Sequence, residues 1–291
     1  MSKLISIGQI LDQTWDHYRT HFKTLMHVTL WFFLATILII AGSFLAPFGA
    51  SPEILAEGVE LSSSQMLGLV VMGVSGAIVA PVIGMWIFMT LIPLIRMQRN
   101  NKKINLHALG KESWKKFFSY LWIVILKTIA TILPILLIVP GMILLFTGAT
   151  QTNASYSSVG IFLTFIGILA ALVLIIWIGT LLHFSEYRFL VDGTKGIKAL
   201  KESKALAKGR FWNVLFRIIL PKLVFAIAVV AVHFVLAISL ALIATQFLAS
   251  DPLTYVRVSG VLDQLISAGV AAVSTPLFVI ADVLIYQSLR K

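Results

Sequence analysis

The sequence predicts an all-α, polytopic membrane protein with six transmembrane helices, built as three repeats of a surface helix followed by a transmembrane hairpin. Apolar residues make up 59% of the 291 residues and charged residues only 12%, about half the charged share of a typical soluble domain. The apolar residues form runs of about 20 or more, the length that a helix needs to cross a bilayer. Basic residues gather in alternate polar segments, and one polar motif recurs three times.

Six segments are long and apolar enough to cross the membrane. They are approximately residues 24–46, 65–95, 118–147, 159–184, 218–248 and 260–289. The runs are continuous and lack the period-two alternation of barrel strands, so no β structure is expected. The second run is long enough to require a tilt or a kink at Pro81, and Pro134 and Pro140 are expected to bend or break the third.

The distribution of Lys and Arg predicts the orientation of these spans. Basic residues occur in the N-terminal segment, in the loops after the second and fourth spans and at the C-terminus. The opposite loops, residues 47–64, 149–158 and 249–259, contain one basic residue, Arg257, and the first of them carries Glu53, Glu57 and Glu60. Because Lys and Arg accumulate on the cytoplasmic side, both termini are predicted to be cytoplasmic. The net charge of +11 then reflects topology, and no nucleic-acid partner is expected.

The cytoplasmic segments contain three related stretches: IGQILDQTWDHYRTHF from Ile7, INLHALGKESWKKFF from Ile104 and IKALKESKALAKGRFW from Ile197. Each contains an Ile-Leu or Ala-Leu pair with a hydroxyl residue, Thr14, Ser113 or Ser203, three or four positions after the Leu, and each ends in aromatic residues. The period of about 95 residues predicts one membrane domain, 1–291, made of repeat units 1–96, 97–190 and 191–291. The alternative is that any loop between spans collects lysines and aromatic anchors.

The third stretch predicts a basic amphipathic helix. Its small residues, such as Ala199 and Ser203, fall on one side, which favours close packing on other helices. The opposite side would face the cytoplasm or anionic headgroups. The basic residues there are Lys198, Lys201, Lys204 and Lys208, with Arg210 following, and the last four of these are candidate headgroup residues. The alternative is a solvated loop that only fixes the topology.

Ionisable residues inside the spans are the other candidates, because burying them in a membrane is costly. Asp282 lies about two turns from the cytoplasmic end of the last span, and Lys222 and Lys127 lie at comparable depth on other spans. A pair between Asp282 and either lysine would join helices, or the acid would bind a headgroup or a proton. His233 is predicted to make a helix–helix hydrogen bond, with a proton relay as the alternative.

No catalytic, cofactor or metal site is predicted. The chain has no cysteine, and no nucleophile or phosphate-binding motif occurs in a usable context. His17 and His21 have the i, i+4 spacing of some metal sites, but no Glu or Cys accompanies them, and packing at the membrane surface is favoured. Gly73, Gly76 and Gly84 are predicted to be helix-packing positions.

Three stretches resemble the membrane-domain family of the glycerophosphoryl diester phosphodiesterases, a group of bacterial six-span membrane proteins. They are the opening IGQILDQTWDHYRTHF, the loop ALKESKALAKGRFWNVL and the closing TPLFVIADVLIYQSLRK, with Tyr286 and Arg290 at the ending. Gln287 and Ser288 stand where the family usually has a Tyr-Asp pair. The resemblance implies a bacterial plasma-membrane protein whose relatives carry an attached phosphodiesterase domain, and no such domain is recognisable in these 291 residues.

These observations predict a non-enzymatic, lipid-associated protein that organises membrane or binds or translocates an amphiphile. Its expected partners are membrane lipids, in particular anionic headgroups at the cytoplasmic face, with no cofactor. The alternative is a small-solute or proton-coupled transporter, for which Asp282 and His233 are the candidates. Two further readings have less support in the sequence: a membrane anchor related to headgroup phosphodiesterases, and an enzyme acting on lipid headgroups.

Overall fold

The computed structural model describes residues 4–46, 61–150, 154–248 and 252–290. These residues are almost entirely helical and contain no strand, which confirms the all-α prediction. The helices are α1 (Ile7–Thr29), α2 (Phe32–Leu45), α3 (Ser63–Val74), α4 (Ala80–Arg99), α5 (Leu106–Ile132), α6 (Val139–Thr150), α7 (Ala154–Leu182), α8 (Ser185–Asp192), α9 (Gly196–Ala207), α10 (Phe211–Leu248) and α11 (Pro252–Arg290). The predicted acidic loop with Glu53, Glu57 and Glu60 lies outside the described residues.

Several helical stretches are long and apolar enough to span a membrane. In the described part of the chain there are five: Ser63–Arg99, Leu106–Thr150, Ser155–Asp192, Phe211–Gln246 and Thr254–Arg290. Helices α1 and α2, which meet at a 41° bend, make a sixth if they are counted together. The chain is therefore built as a helical membrane-spanning protein.

The long spans are irregular near the prolines that the sequence singles out. A five-residue π-helical segment, Ser75–Val79, separates α3 from α4 directly before Pro81. A 3₁₀ segment, Leu133–Ile138, separates α5 from α6 and contains Pro134. Proline lacks the amide hydrogen that a regular helix needs and its ring collides with the preceding turn, so both breaks are expected. The break between α1 and α2, at Leu30 and Trp31, was not predicted.

The helices group into two compact units. The first unit comprises residues 1–114 and 217–289. Its buried side chains come mainly from α4 and α11, including Ile87, Ile95, Ile280 and Ile285. In the most apolar stretch of Thr254–Arg290, 67% of the residues are buried, whereas none is buried in the corresponding stretch of Phe211–Gln246. The apolar side chains of α10 are therefore available to contact lipid.

The second unit comprises residues 115–216 together with Arg290, and glycines allow its helices to approach closely. A Cβ atom at Gly141 of α6 would collide with the backbone of Thr164 on α7, and one at Gly167 would collide with the backbone near Leu137. Small residues at such contacts are typical of packed membrane helices. The prediction for Gly73, Gly76 and Gly84 was wrong, because a Cβ atom at any of these would meet open space. The sequence shows that these residues are small, but it does not show which side of the helix faces a neighbouring helix.

Candidate functional site

Helix α9 carries the basic stretch, and its small-residue face is packed as predicted. Ala199, Ser203 and Ala207 are fully buried. The Ser203 hydroxyl accepts a hydrogen bond from the backbone amide of Phe184 at 3.1 Å and donates one to the Leu181 carbonyl at 2.8 Å. These two contacts attach α9 to the end of α7. The stretch is therefore a docked helix and not an irregular solvated loop.

The opposite face of α9 is basic and exposed. The lysines there are Lys198, Lys201, Lys204 and Lys208, and Arg210 beyond the helix is half-buried. Glu202 is the only acidic residue between Lys195 and Arg210. Exposed lysines near an anionic membrane surface contribute about 1 kcal/mol each. Fixing the opposite face through Ser203 holds the lysines in a row, which suits binding to negatively charged headgroups.

A polar corner joins α8 to α9. Helix α8 ends at Gly193, whose φ of 75° is a left-handed conformation that suits glycine. Arg188 donates to Asp192 at 2.8 Å and lies 3.8 Å from Glu202 of α9. Arg290, which the family resemblance singles out, lies 2.9 Å from Asp192. The network neutralises the acids beside α9 and so leaves its outer face to the lysines.

Asp282 of α11 pairs with Lys222 of α10. The Lys222 ammonium donates to Asp282 Oδ2 at 2.7 Å, and the side chains are 27% and 9% exposed. Of the two pairings that the sequence left open for Asp282, this is the one that is formed. A buried carboxylate requires such a partner, and the contact joins the two long helices of the first unit.

Lys127 of α5 pairs with Glu186 of α8. The ammonium donates to Glu186 Oε1 at 2.6 Å, and the Tyr120 hydroxyl donates to Glu186 Oε2 at 2.5 Å. The sequence analysis missed Glu186 because it placed the end of the fourth span at residue 184 and took the next residues as loop. The two pairs have nearly equal spacing along the chain, 59 residues for Lys127–Glu186 and 60 for Lys222–Asp282, and that regularity was a usable signal.

Three histidines, His17, His21 and His233, lie near other polar or aromatic side chains. His233 Nε2 lies 3.8 Å from Asp263 Oδ1, which is too far for a hydrogen bond, so the prediction of a helix–helix hydrogen bond at His233 was wrong. His17 Nε2 lies 2.9 Å from Gln98 Oε1, and its ring is 4.6 Å from that of His21. No group of three or more His, Cys, Asp or Glu side chains in the described part of the chain is arranged to hold a metal ion. The hydrogen bond between His17 and Gln98 joins α1 to α4.

No protein-family model, curated protein or solved structure matches this chain. The resemblance to the phosphodiesterase membrane-domain family therefore remains a prediction from the three quoted stretches. Of their residues, Tyr286 is 1% exposed and Arg290 contacts Asp192. Both positions contribute to packing, whatever else they do.

Proposed function

We propose that this chain is a non-enzymatic, lipid-associated protein of the bacterial plasma membrane that organises lipid or binds and translocates an amphiphile. The observation that carries the proposal is the row of exposed lysines on α9, held in place by the buried face of Ala199, Ser203 and Ala207. A cationic helix docked at the end of a membrane-spanning helix attracts anionic headgroups. The proposal places both termini and α9 in the cytoplasm, in line with the distribution of Lys and Arg.

We further propose six spans arranged as three repeats, with α1 and α2 together contributing the first span. The hydroxyl residues of the three surface stretches support this scheme, because Thr14, Ser113 and Ser203 are at most 3% exposed. Ser113 bonds to Thr90 of α4 at 3.2 Å, much as Ser203 bonds to the end of α7. The start of α5 and helix α9 thus each pack on the hairpin that precedes them in sequence. The two lysine–carboxylate pairs, about 95 positions apart, support the same period.

The proposal is tested by measuring which lipids surround the reconstituted protein. Full-length protein is placed in vesicles of phosphatidylcholine and phosphatidylglycerol that contain a trace of either lipid with a spin label. Electron paramagnetic resonance then gives the fraction of each lipid immobilised by the protein. We expect a preference for phosphatidylglycerol that weakens at 1 M salt, because exposed charges are screened there.

The decisive variant replaces Lys198, Lys201, Lys204 and Lys208 with glutamine, and its matched control replaces the same four with arginine. The glutamine variant should lose most of the preference and the arginine variant should keep it. Equal immobilisation of both lipids by the wild type, or a preference unchanged in the glutamine variant, would count against the proposal.

The alternative, a small-solute or proton-coupled transporter, requires water to reach Asp282 or His233. Neither of them lines the cleft of about 590 Å³ between α1, α4 and α5 or the cleft of about 180 Å³ between α10 and α11, and Asp282 is engaged with Lys222. Vesicles with an internal pH dye distinguish the two functions. Proton movement that depends on the protein and is abolished by Asp282→Asn would favour transport.

A further inference from the structure

A partly open cleft of about 590 Å³ lies in the first unit, between the α1–α2 bend, α4 and the start of α5. Its walls include the indoles of Trp31, Trp86 and Trp114, together with His27, His107 and Lys111. This volume is in the range of small-molecule binding sites. None of the residues that line the cleft belongs to α9, and the sequence analysis did not anticipate it.

Specific contacts build the aromatic wall. Trp31 stands at the break between α1 and α2, and its ring lies 5.8 Å from that of Trp86 at an angle of 73°. The Trp86 indole N–H donates to the Gly110 carbonyl at 3.3 Å. A Cβ atom at residue 110 would lie 3.2 Å from the Trp86 ring. Because residue 110 is glycine, the start of α5 can pack against the Trp86 indole. The aromatic wall therefore forms without a ligand.

The cleft is positively charged. Among the described residues that line it, none is acidic. Lys111 makes no ion pair within the described part of the chain and its side chain is exposed. His27 and His107, which are exposed and also line the cleft, add imidazole N–H donors. An ammonium group without a protein carboxylate, next to two further donors, is arranged to receive an anionic oxygen from outside.

The rest of the lining indicates what that anion is attached to. Tryptophan is enriched where a membrane protein crosses from hydrocarbon to headgroups, because the indole has an apolar body and one polar edge. The cleft lies where polar α1 gives way to apolar α2, and where the charged start of α5 meets membrane-spanning α4. We infer that the cleft binds one anionic phospholipid, with its phosphate near Lys111 and its glycerol and upper chains against the three tryptophans. This inference rests on the proposed function and gives it a defined site.

The inference is tested by native mass spectrometry of the full-length protein in detergent, titrated with phosphatidylglycerol or phosphatidylcholine. We expect one phosphatidylglycerol to bind at least tenfold more tightly than phosphatidylcholine. Lys111→Gln should weaken phosphatidylglycerol binding about tenfold, the effect of losing one good contact to a charged group. His107→Gln should weaken it less. Lys102→Gln, an exposed lysine outside the cleft that loses the same charge, is the matched control and should change little.

Three results would overturn the cleft assignment: equal affinity for the two lipids, equal affinity of Lys111→Gln and Lys102→Gln for phosphatidylglycerol, or displacement of the lipid by equimolar glycerol phosphate. The last result would indicate a site for a free phosphate. If Lys111→Gln has no effect while the glutamine variant of α9 loses its lipid preference, the assignment of the cleft as a lipid site is wrong and the proposed function stands. If the wild type prefers neither lipid in either experiment, the proposed function fails as well.

Discussion

The polar positions of the first hairpin, α2 to α4, are used differently from those of the two later hairpins. In the second hairpin, α5 to α8, Lys127 is paired with Glu186, and in the third, α10 and α11, Lys222 is paired with Asp282. About 95 positions before Lys127 and Glu186 the first hairpin has Phe32 and Thr90. Thr90 lines the cleft that contains Trp31, Trp86 and Trp114, and Phe32 directly follows Trp31 in the sequence.

The comparison suggests a division of roles. Lysine–carboxylate pairs hold the later hairpins together at a depth where a lone charge would be costly. The first hairpin has no charge to neutralise at the matching positions, so its neighbouring cation, Lys111, can face a ligand. Under the proposed repeat scheme and the inferred lipid site, the copy that lacks the lysine–carboxylate pair is the one beside the binding cleft.

The largest expected effect comes from breaking a pair in a later hairpin. Asp282→Leu leaves the partly buried Lys222 without its partner and should lower the free energy of unfolding by about 3–5 kcal/mol. The double variant Lys222→Met/Asp282→Leu removes both charges and should recover most of the loss. Equilibrium unfolding in mixed micelles measures both. If the double variant were no more stable than the single one, the pair would have a role other than neutralising charge.

Glycines at close helix contacts should be more sensitive to size than glycines whose added Cβ atom would meet open space. Gly141→Ala places a Cβ atom against the Thr164 backbone and should cost about 1–3 kcal/mol. The control Gly84→Ala, in a helix of the first hairpin where a Cβ meets open space, should be neutral or stabilise by up to about 1 kcal/mol. The same unfolding assay compares them, and equal losses would contradict the packing described here.

Thr90 should contribute less than the carboxylates at the corresponding positions. Its hydroxyl donates to the Trp86 carbonyl at 2.8 Å and bonds to Ser113 at 3.2 Å. Thr90→Val keeps the shape and removes these bonds, so it should cost about 1 kcal/mol. Thr90→Ser, which keeps the hydroxyl, is the control. A loss as large as that of Asp282→Leu would mean that the first hairpin depends on this position as much as the later ones do.

The smallest effect on stability is expected for the lysine row of α9. Replacing Lys198, Lys201, Lys204 and Lys208 with glutamine should change the unfolding free energy in neutral detergent by less than about 0.5 kcal/mol, because the side chains are exposed. Ser203→Ala, on the buried face of the same helix, removes a donor and acceptor and should cost about 1–3 kcal/mol. If the lysine variant were the less stable of the two, the lysines would be structural.

Several features of the fold could be predicted from local sequence, while the cleft could not. The length of the apolar runs predicted the helices, and the chemistry of proline predicted the irregular segments next to Pro81 and at Pro134. The small residues of α9 predicted its buried face. The Lys127–Glu186 pair was missed because it requires knowing that α8 continues the membrane helix. The cleft is built from His27, Trp86 and Lys111, which are far apart in sequence and meet only through tertiary packing.

The most direct test of anionic lipid recognition is photo-crosslinking with phosphatidylglycerol that carries a diazirine on its headgroup. The reconstituted protein is irradiated and digested, and the labelled peptides are identified by mass spectrometry. The account predicts labelling of residues 27–31 and 106–114, and of the basic face of α9, with little labelling there by a matching phosphatidylcholine probe. Equal labelling of these segments by both probes, or labelling confined to the apolar surface of α10, would contradict it.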